Sequence, residues 1–299
     1  MKHRNFCVLI LSHGRPDNVV TVKTLERFGY TGDWYILLDS FDETKDEYIK
    51  RFGADRVIVF DKEQEMITTD AMDNFKYHKS IVYARQAAPK VARTLGYKYF
   101  AEYEDDYDSV RWRMNSKIEY SSKMLSSEHN TLDRVFDVML DYLIETPRLM
   151  SICMAQSGDY IGGGNSRMIQ EQSRRKVMNS WIIDVDRHFD FTGTMNDDVV
   201  VYTKLAQQGF LFLTTGYIAI NQKQTQKNAS GNTDMYKKFG TYTKAFYAVM
   251  GCPSGVKIST LSNLGDRVHT KEFRVHHVVD WKYVAPKIIS QKYKKSLTT

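Results

Sequence analysis

An α/β fold, a mostly parallel sheet flanked by helices, is what the sequence predicts, on three observations. Short apolar runs rich in β-branched and aromatic residues alternate with stretches of helical spacing. Glycines stand where several of those helical stretches end. A cluster of acidic residues sits where one apolar run stops, and sheets of this kind bind ligands beyond the carboxyl ends of their strands.

In chain order, residues 6–12 (FCVLILS) read as a buried strand, "HGRPDN" as a turn, 19–28 as a helix and 34–39 (WYILLD) as a second strand. The unit repeats: "DETKDEYIKRFG" is a helix closed by Gly53, 57–60 a short strand, 80–95 a long helix closed by Gly96, and 97–103 a fourth strand. Strands separated by helices imply right-handed parallel crossovers. Beyond them, "NTLDRVFDVMLDYLIET" has helical periodicity and 149–155 reads as another buried strand. Residues 156–175, with Gly162, Gly163 and Gly164 in a row, read as a surface loop suited to a lid. Residues 177–185 resume as strand, "NDDVVVYTKLAQQG" is a helix, and 210–220 is one long strand or a pair. Residues 221–244 carry almost no aliphatic side chains and read as an exposed basic loop.

At 299 residues and 42% apolar content the chain can bury a full core as a single domain. No apolar run is long enough for a signal-peptide core or a membrane span, which places the protein in a cytoplasm, that of the host if a phage encodes it. Three widely spaced cysteines, Cys7, Cys153 and Cys252, fit buried reduced thiols rather than a disulfide framework. Charge is unevenly spread: residues 202–299 carry a net +11 and the remainder −5, which suggests one part that holds a cation and another that faces a polyanion.

The sharpest local feature is "KYFAEYEDDYD", which brings Glu102, Glu104, Asp105, Asp106 and Asp108 to a strand end. Carboxylates crowded there repel one another unless a hard divalent ion joins them; Mg²⁺ takes one or two protein carboxylates plus substrate phosphate. Asp197 and Asp198 open a helix, where acids also cap free amides. In "EFRVHHVVDWKYV" strand alternation turns only one of His276 and His277 inward. Lys223, Lys227, Lys237, Lys238 and Lys244, with Tyr236 and Tyr242 interleaved, and then Lys292, Lys294 and Lys295, suit phosphate tracking with base stacking.

Ala84-Arg85-Gln86, then Ala92, Gly96, Tyr97 and "EYEDD", resemble the segment of GT-A nucleotide-sugar glycosyltransferases that leads into their D-x-D metal motif. "VLILSHGRPD" is similar to their first strand and turn, "LLDSFDET" to the stretch after their second strand, and "NDDVVVYTKLAQQG" to their catalytic helix. The resemblance implies a GT-A-like (Rossmann-like) fold with a basic C-terminal extension, spanning 1–299 as one domain. Residues 1–110 would be its nucleotide-sugar half, 111–220 its acceptor and catalytic half, and 221–299 its acceptor-binding loop and extension. It also implies site roles: Ser12, His13, Gly14, Arg15, Asp39, Arg85 and Asp105 at the donor, and Glu104 and Asp106 on Mn²⁺ or Mg²⁺. His276 or His277 would be a further metal ligand, and Asp198 or Asp197 the base. Glutamate replaces the usual first aspartate of the motif, and Asp106-Tyr107-Asp108 offers a second register.

Within that group "SHGRPDN", "YEDDY" and the "NDD" helix look most like the phage TET/JBP-associated enzymes that glycosylate modified DNA bases. The expected reaction is metal-dependent transfer of glucose or arabinose from a UDP-sugar to the hydroxyl of a 5-hydroxymethylpyrimidine, 5-hydroxymethylcytosine foremost, in DNA, with inversion. A saccharide, lipid or protein acceptor is the alternative, as is a non-catalytic nucleic-acid-binding protein that keeps the fold.

Overall fold

The computed structural model describes residues 1–75, 79–128, 130–156, 158–170, 175–222, 235, 238–240, 242–263 and 272–285. The lysines Lys223, Lys227, Lys237, Lys292, Lys294 and Lys295, and Tyr236 among them, lie outside that set.

The alternation in the sequence becomes β1 (Phe6–Leu11), α1 (Val20–Arg27), β2 (Asp33–Asp39), α2 (Lys45–Phe52), β3 (Val57–Phe60), α3 (Lys62–Thr68), α4 (Val82–Thr94) and β4 (Tyr99–Glu104). The chain continues as β5 (Tyr107–Trp112), α5 (Thr131–Glu145), β6 (Leu149–Ala155), the short α6 (Arg167–Gln170), β7 (Trp181–Asp184), α7 (Asp197–Gln207) and β8 (Leu211–Gln222). These strands form one sheet in the order β3-β2-β1-β4-β7-β6-β8-β5. Pairings β1–β2, β1–β4, β2–β3 and β6–β8 are parallel, whereas β7 and β5 run against their neighbours. The mostly parallel, helix-flanked sheet expected from the sequence is present.

Four elements differ from the sequence reading. β5 follows the acidic turn directly and pairs with β8 along the sheet edge; its Asp108 and Arg111 interrupt an apolar pattern, as an edge strand tolerates. It also carries the sheet across the 110/111 division. The run expected as strand over 177–185 narrows to β7, because Ser180 just before it adopts a left-handed φ of 49°. α3 is an added helix whose first turn is capped by Asp61, accepting from Gln64 N at 3.1 Å. After α8 (Thr243–Gly251), the strand bearing the two histidines, β10 (Glu272–Val279), pairs antiparallel with an unforeseen β9 (Val256–Asn263). The long-strand alternative for 210–220 is the one observed, as β8.

Apolar side chains cover both faces of the sheet. On one, Phe136 and Leu140 of α5 and Val22 and Leu25 of α1 pack against Val8, Ile10 and Tyr103. On the other, Val82, Ala88 and Ala92 of α4 and Val199 and Val201 of α7 pack against Leu9, Phe100 and Trp181. α1 reaches α5 closely: at Gly29 (φ 76°) a side-chain carbon would lie 2.8 Å from Asn130 Cα, so only glycine fits that crossing. The three cysteines are buried and free, as expected. No helix among the described residues is long and apolar enough to cross a membrane.

Phe136 is fully buried, with ring centroids 5.1 Å from Phe6 and 5.3 Å from Tyr30. Phe136→Ala should therefore cost about 3–5 kcal/mol in urea unfolding, while Val138→Ala on the exposed face of the same helix should change stability by under about 0.5 kcal/mol. Equal effects at the two positions would contradict this packing.

Candidate active site

The parallel strands β1, β2, β3 and β4 end on one side of the sheet, and the expected site residues follow those ends. At the acidic turn between β4 and β5, α1 does the holding. The amides of Val20 and Thr21 donate to Asp105 O (2.8 and 3.1 Å), and Thr21 Oγ1 donates to Glu104 O (2.5 Å). Two otherwise unpaired helix N-terminal donors are thus satisfied by the turn itself.

Of the residues expected at the donor, Ser12, Arg15 and Asp105 converge. Ser12 Oγ donates to Asp105 Oδ2 at 2.5 Å and lies 2.7 Å from Tyr48 Oη, and Arg15 Nη2 is 3.1 Å from Asp105 Oδ1. Both Asp105 oxygens are therefore engaged within the protein; burial pushes its carboxyl up to about 6, against Arg15 and Ser12, which lower it. Asp39 forms a second knot, with His13 Nδ1 at 2.8 Å and Lys62 Nζ at 2.9 Å from Oδ2. Burial raises the Asp39 carboxyl, but the His13 and Lys62 contacts outweigh it and the net direction is downward. Gly14 N donates to Asp42 Oδ2 at 2.8 Å. Tyr48, Asp42 and Lys62 escaped the sequence reading; Lys62 stands just past the end of β3, where the strand-end rule points.

Arg85 of α4 joins the two acidic groups. It is almost fully buried, over the rings of Phe191 (5.6 Å) and Trp181 (5.9 Å), with Nη1 2.6 Å from Asp197 Oδ2 and Nη2 3.5 Å from Glu104 Oε1. Burial alone would lower its proton affinity, yet Asp197, Glu104, Asp198 and Glu102 hold it above the ordinary arginine value. Glu104 also accepts from Gln222 Nε2 at 2.5 Å, across the β5–β8 edge.

The remaining carboxylates are underneutralised. Asp106 is buried with Oδ1 unpartnered, and its carboxyl is pushed up to about 7 by burial and by Glu104 and Asp105. Asp198 is pushed up to about 7 by burial, Asp197 and Glu104, against Arg85 and its own helix amide. Glu102 is wholly buried with neither carboxylate oxygen bonded, and burial raises it well above the usual range.

Hard oxygen donors, one of them the orphaned Asp106 Oδ1, fit Mg²⁺ or Mn²⁺. Among the described residues no group of three or more His, Cys, Asp or Glu side chains gathers to form a closed cage. Two carboxylates, Glu104 and Asp106, with the rest of the shell left to water and phosphate, match what such ions ordinarily take from a protein.

The structure brings His277 to Asn196, the residue before Asp197. His277 Nδ1 lies 3.1 Å from Asn196 Nδ2, which also donates to Lys244 O at 2.9 Å. Burial, His276 and Lys244 lower the imidazole to about 4, so it is neutral at pH 7. With Nδ1 accepting, the proton of that neutral ring sits on Nε2. The His276 ring lies 4.3 Å from it, centroid to centroid.

A family model described as TET-Associated Glycosyltransferase matches residues 6–231. No curated protein matches the sequence. Among solved structures the chain is similar to glucosyl-3-phosphoglycerate synthase from Mycobacterium tuberculosis. One such structure, in complex with Mn²⁺ and UDP-glucose, is 11% identical, with TM-score 0.45 and 92% of this chain and 87% of that one covered. Another, with Mg²⁺ and UDP, is 12% identical, with TM-score 0.42 and 92% and 88% covered.

A carboxyl whose folded pKa lies above its unfolded value favours the native state at low pH, and that advantage fades as pH rises through the folded value. For Asp106 and Asp198 the window runs from about 4, the unfolded value, to about 7. The urea midpoint of the metal-free protein should fall across that window, with a shallower fall in Asp198→Asn. Identical slopes in the two proteins would refute the burial of an uncompensated Asp198.

Proposed function

This chain belongs to the TET-associated glycosyltransferase family and is a glycosyltransferase, and we propose that it moves a sugar from a UDP-sugar to the hydroxyl of a 5-hydroxymethylpyrimidine in DNA. The observation that carries the catalytic reading is the division of labour between two adjacent acids. Asp197 is committed to Arg85, whereas Asp198 has a proton affinity near neutrality, as a general base requires.

In this reading Asp198 takes the acceptor proton, and Asp197 orients Arg85. Attack from the face of Asp198, opposite the departing diphosphate, gives inversion at the sugar carbon. The cation on Glu104 and Asp106 would supply charge for the diphosphate as it leaves. Arg15, held by Asp105, adds a fork of donors for the same phosphates. Ser12, Gly14 and Asp39 border the nucleoside side, with His13 and Lys62 fixing the Asp39 carboxylate. His277 serves as a neutral Nε2–H donor beside the base. The basic charge excess of residues 202–299 supports a polyanionic acceptor, and a target base within a duplex would have to leave the stack to reach the sugar.

The test incubates the purified protein with Mn²⁺, a panel of UDP-sugars and DNA containing 5-hydroxymethylcytosine, then digests it to nucleosides for mass spectrometry. A hexose or pentose mass gain is expected. Asp198→Asn should lower kcat by about 10²–10⁴-fold with donor binding intact, and Asp106→Ala should abolish Mn²⁺-dependent donor binding. A gain indifferent to both substitutions would remove the residue assignments; transfer only to saccharide, lipid or protein acceptors would remove DNA.

A further inference from the structure

Three segments meet on the outer edge of the sheet, away from the acidic turn. Residues 113–124 follow β5, residues 160–166 follow β6, and residues 215–217 form the irregular middle of β8, where its register against β6 shifts. Backbone bonds clasp them: Gly164 N donates to Ile118 O at 2.8 Å and Arg113 N to Tyr217 O at 2.7 Å. Gly163 (φ 62°) makes the approach possible, since a side-chain carbon there would lie 2.5 Å from Ile118 O and 2.7 Å from Tyr120 N. Arg113 is buried beneath them, donating to Tyr120 Oη at 3.0 Å with its guanidinium 5.4 Å from the centre of that ring.

This bracing holds large side chains out in solvent: Tyr120 is 44% exposed, Ile118 48%, Tyr217 49% and Ile161 65%. Lys117 and Lys123 are exposed around them and form no ion pair among the described residues, while Glu119, between them in sequence, accepts from Asn115. Exposed rings on a rigid support with surplus cations match the requirements for stacking on unpaired bases while tracking their phosphates. The patch is continuous with the active site through β5, whose six residues span about 17 Å at roughly 3.4 Å each.

We propose that Tyr120 and Tyr217, with Lys117 and Lys123, form a docking surface for a single-stranded stretch of nucleic acid that flanks the base in the active site. The inference deepens the nucleic-acid reading of the acceptor and rests on it.

The test measures fluorescence anisotropy of a labelled single-stranded DNA of about twenty nucleotides with the full-length protein. Replacing both tyrosines, Tyr120→Ala with Tyr217→Ala, should weaken binding by about tenfold or more per ring. Tyr120→Phe with Tyr217→Phe should bind as the parent does, because stacking needs only the ring. Lys117→Gln with Lys123→Gln should flatten the dependence of the Kd on salt. An unfolding midpoint close to the parent's shows that the alanine variant is folded. Unchanged binding by that folded variant, or no binding by the parent, would overturn the docking surface, as would parental self-association that the alanine variant loses. The acceptor reading fails separately: patch-dependent DNA binding without any sugar transfer to the hydroxymethyl base would sink it and leave the surface standing.

Discussion

Too many negative charges in too little solvent is the constraint around which this molecule is arranged. Glu102, Glu104, Asp105, Asp106, Asp197 and Asp198 all lie at or behind the end of β4, and among the described residues Arg15 and Arg85 are the cations that touch them. Two guanidinium groups cannot balance six carboxylates where water is scarce, so the surplus must bind protons or a cation. The raised proton affinities of Glu102, Asp106 and Asp198 express the first solution. A divalent ion bound by Glu104 and Asp106 would supply the second, taking the place of protons on those carboxylates.

Around that centre the architecture supplies rigidity from unrelated parts of the chain. α1 lends its first amides to Asp105 O, so the acidic turn is fixed by a helix more than eighty residues earlier. α4 sets Arg85 against Trp181 and Phe191, and Pro89 one turn on removes the amide that would otherwise bond Arg85 O. α7 presents its two acids at the positive end of its dipole. An arginine gripped by aromatic faces and by carboxylates from two elements has few alternative rotamers, which is what a charge intended to hold its place requires.

Much of the fold was legible because its signals are local. Apolar runs of four to seven residues bounded by Gly53, Gly96 and Gly209 can be read without knowing what packs on them. β5 and β9 were not legible: Asp108 and Arg111 interrupt the apolar pattern of the edge strand, and Ser259, Thr260, Ser262 and Asn263 leave β9 without an apolar run. In the site, the acids were visible as neighbours in sequence, and the resemblance gave them an order. The pairing of Arg85 with Asp197, 112 positions apart, was not; nor was the clamp of Lys62 on Asp39. Those contacts depend on how strands are ordered in the sheet, which no local pattern encodes. Arg113 is placed by the same long-range order, buried under Tyr120.

The sequence left Asp197 and Asp198 interchangeable, and helical geometry separates them. Successive residues on a helix point about 100° apart, so one arginine on a neighbouring helix can be met head-on by only one of two adjacent acids. Asp197 meets it at 2.6 Å. Asp198, turned away yet still buried, has lost water without gaining an ion pair of its own, and feels its neighbour's charge besides. Its affinity for a proton follows from that loss. The two neighbours therefore differ in environment, one paired with Arg85 and the other buried beside it with a raised proton affinity, and exchanging them would require rotating α7 against α4.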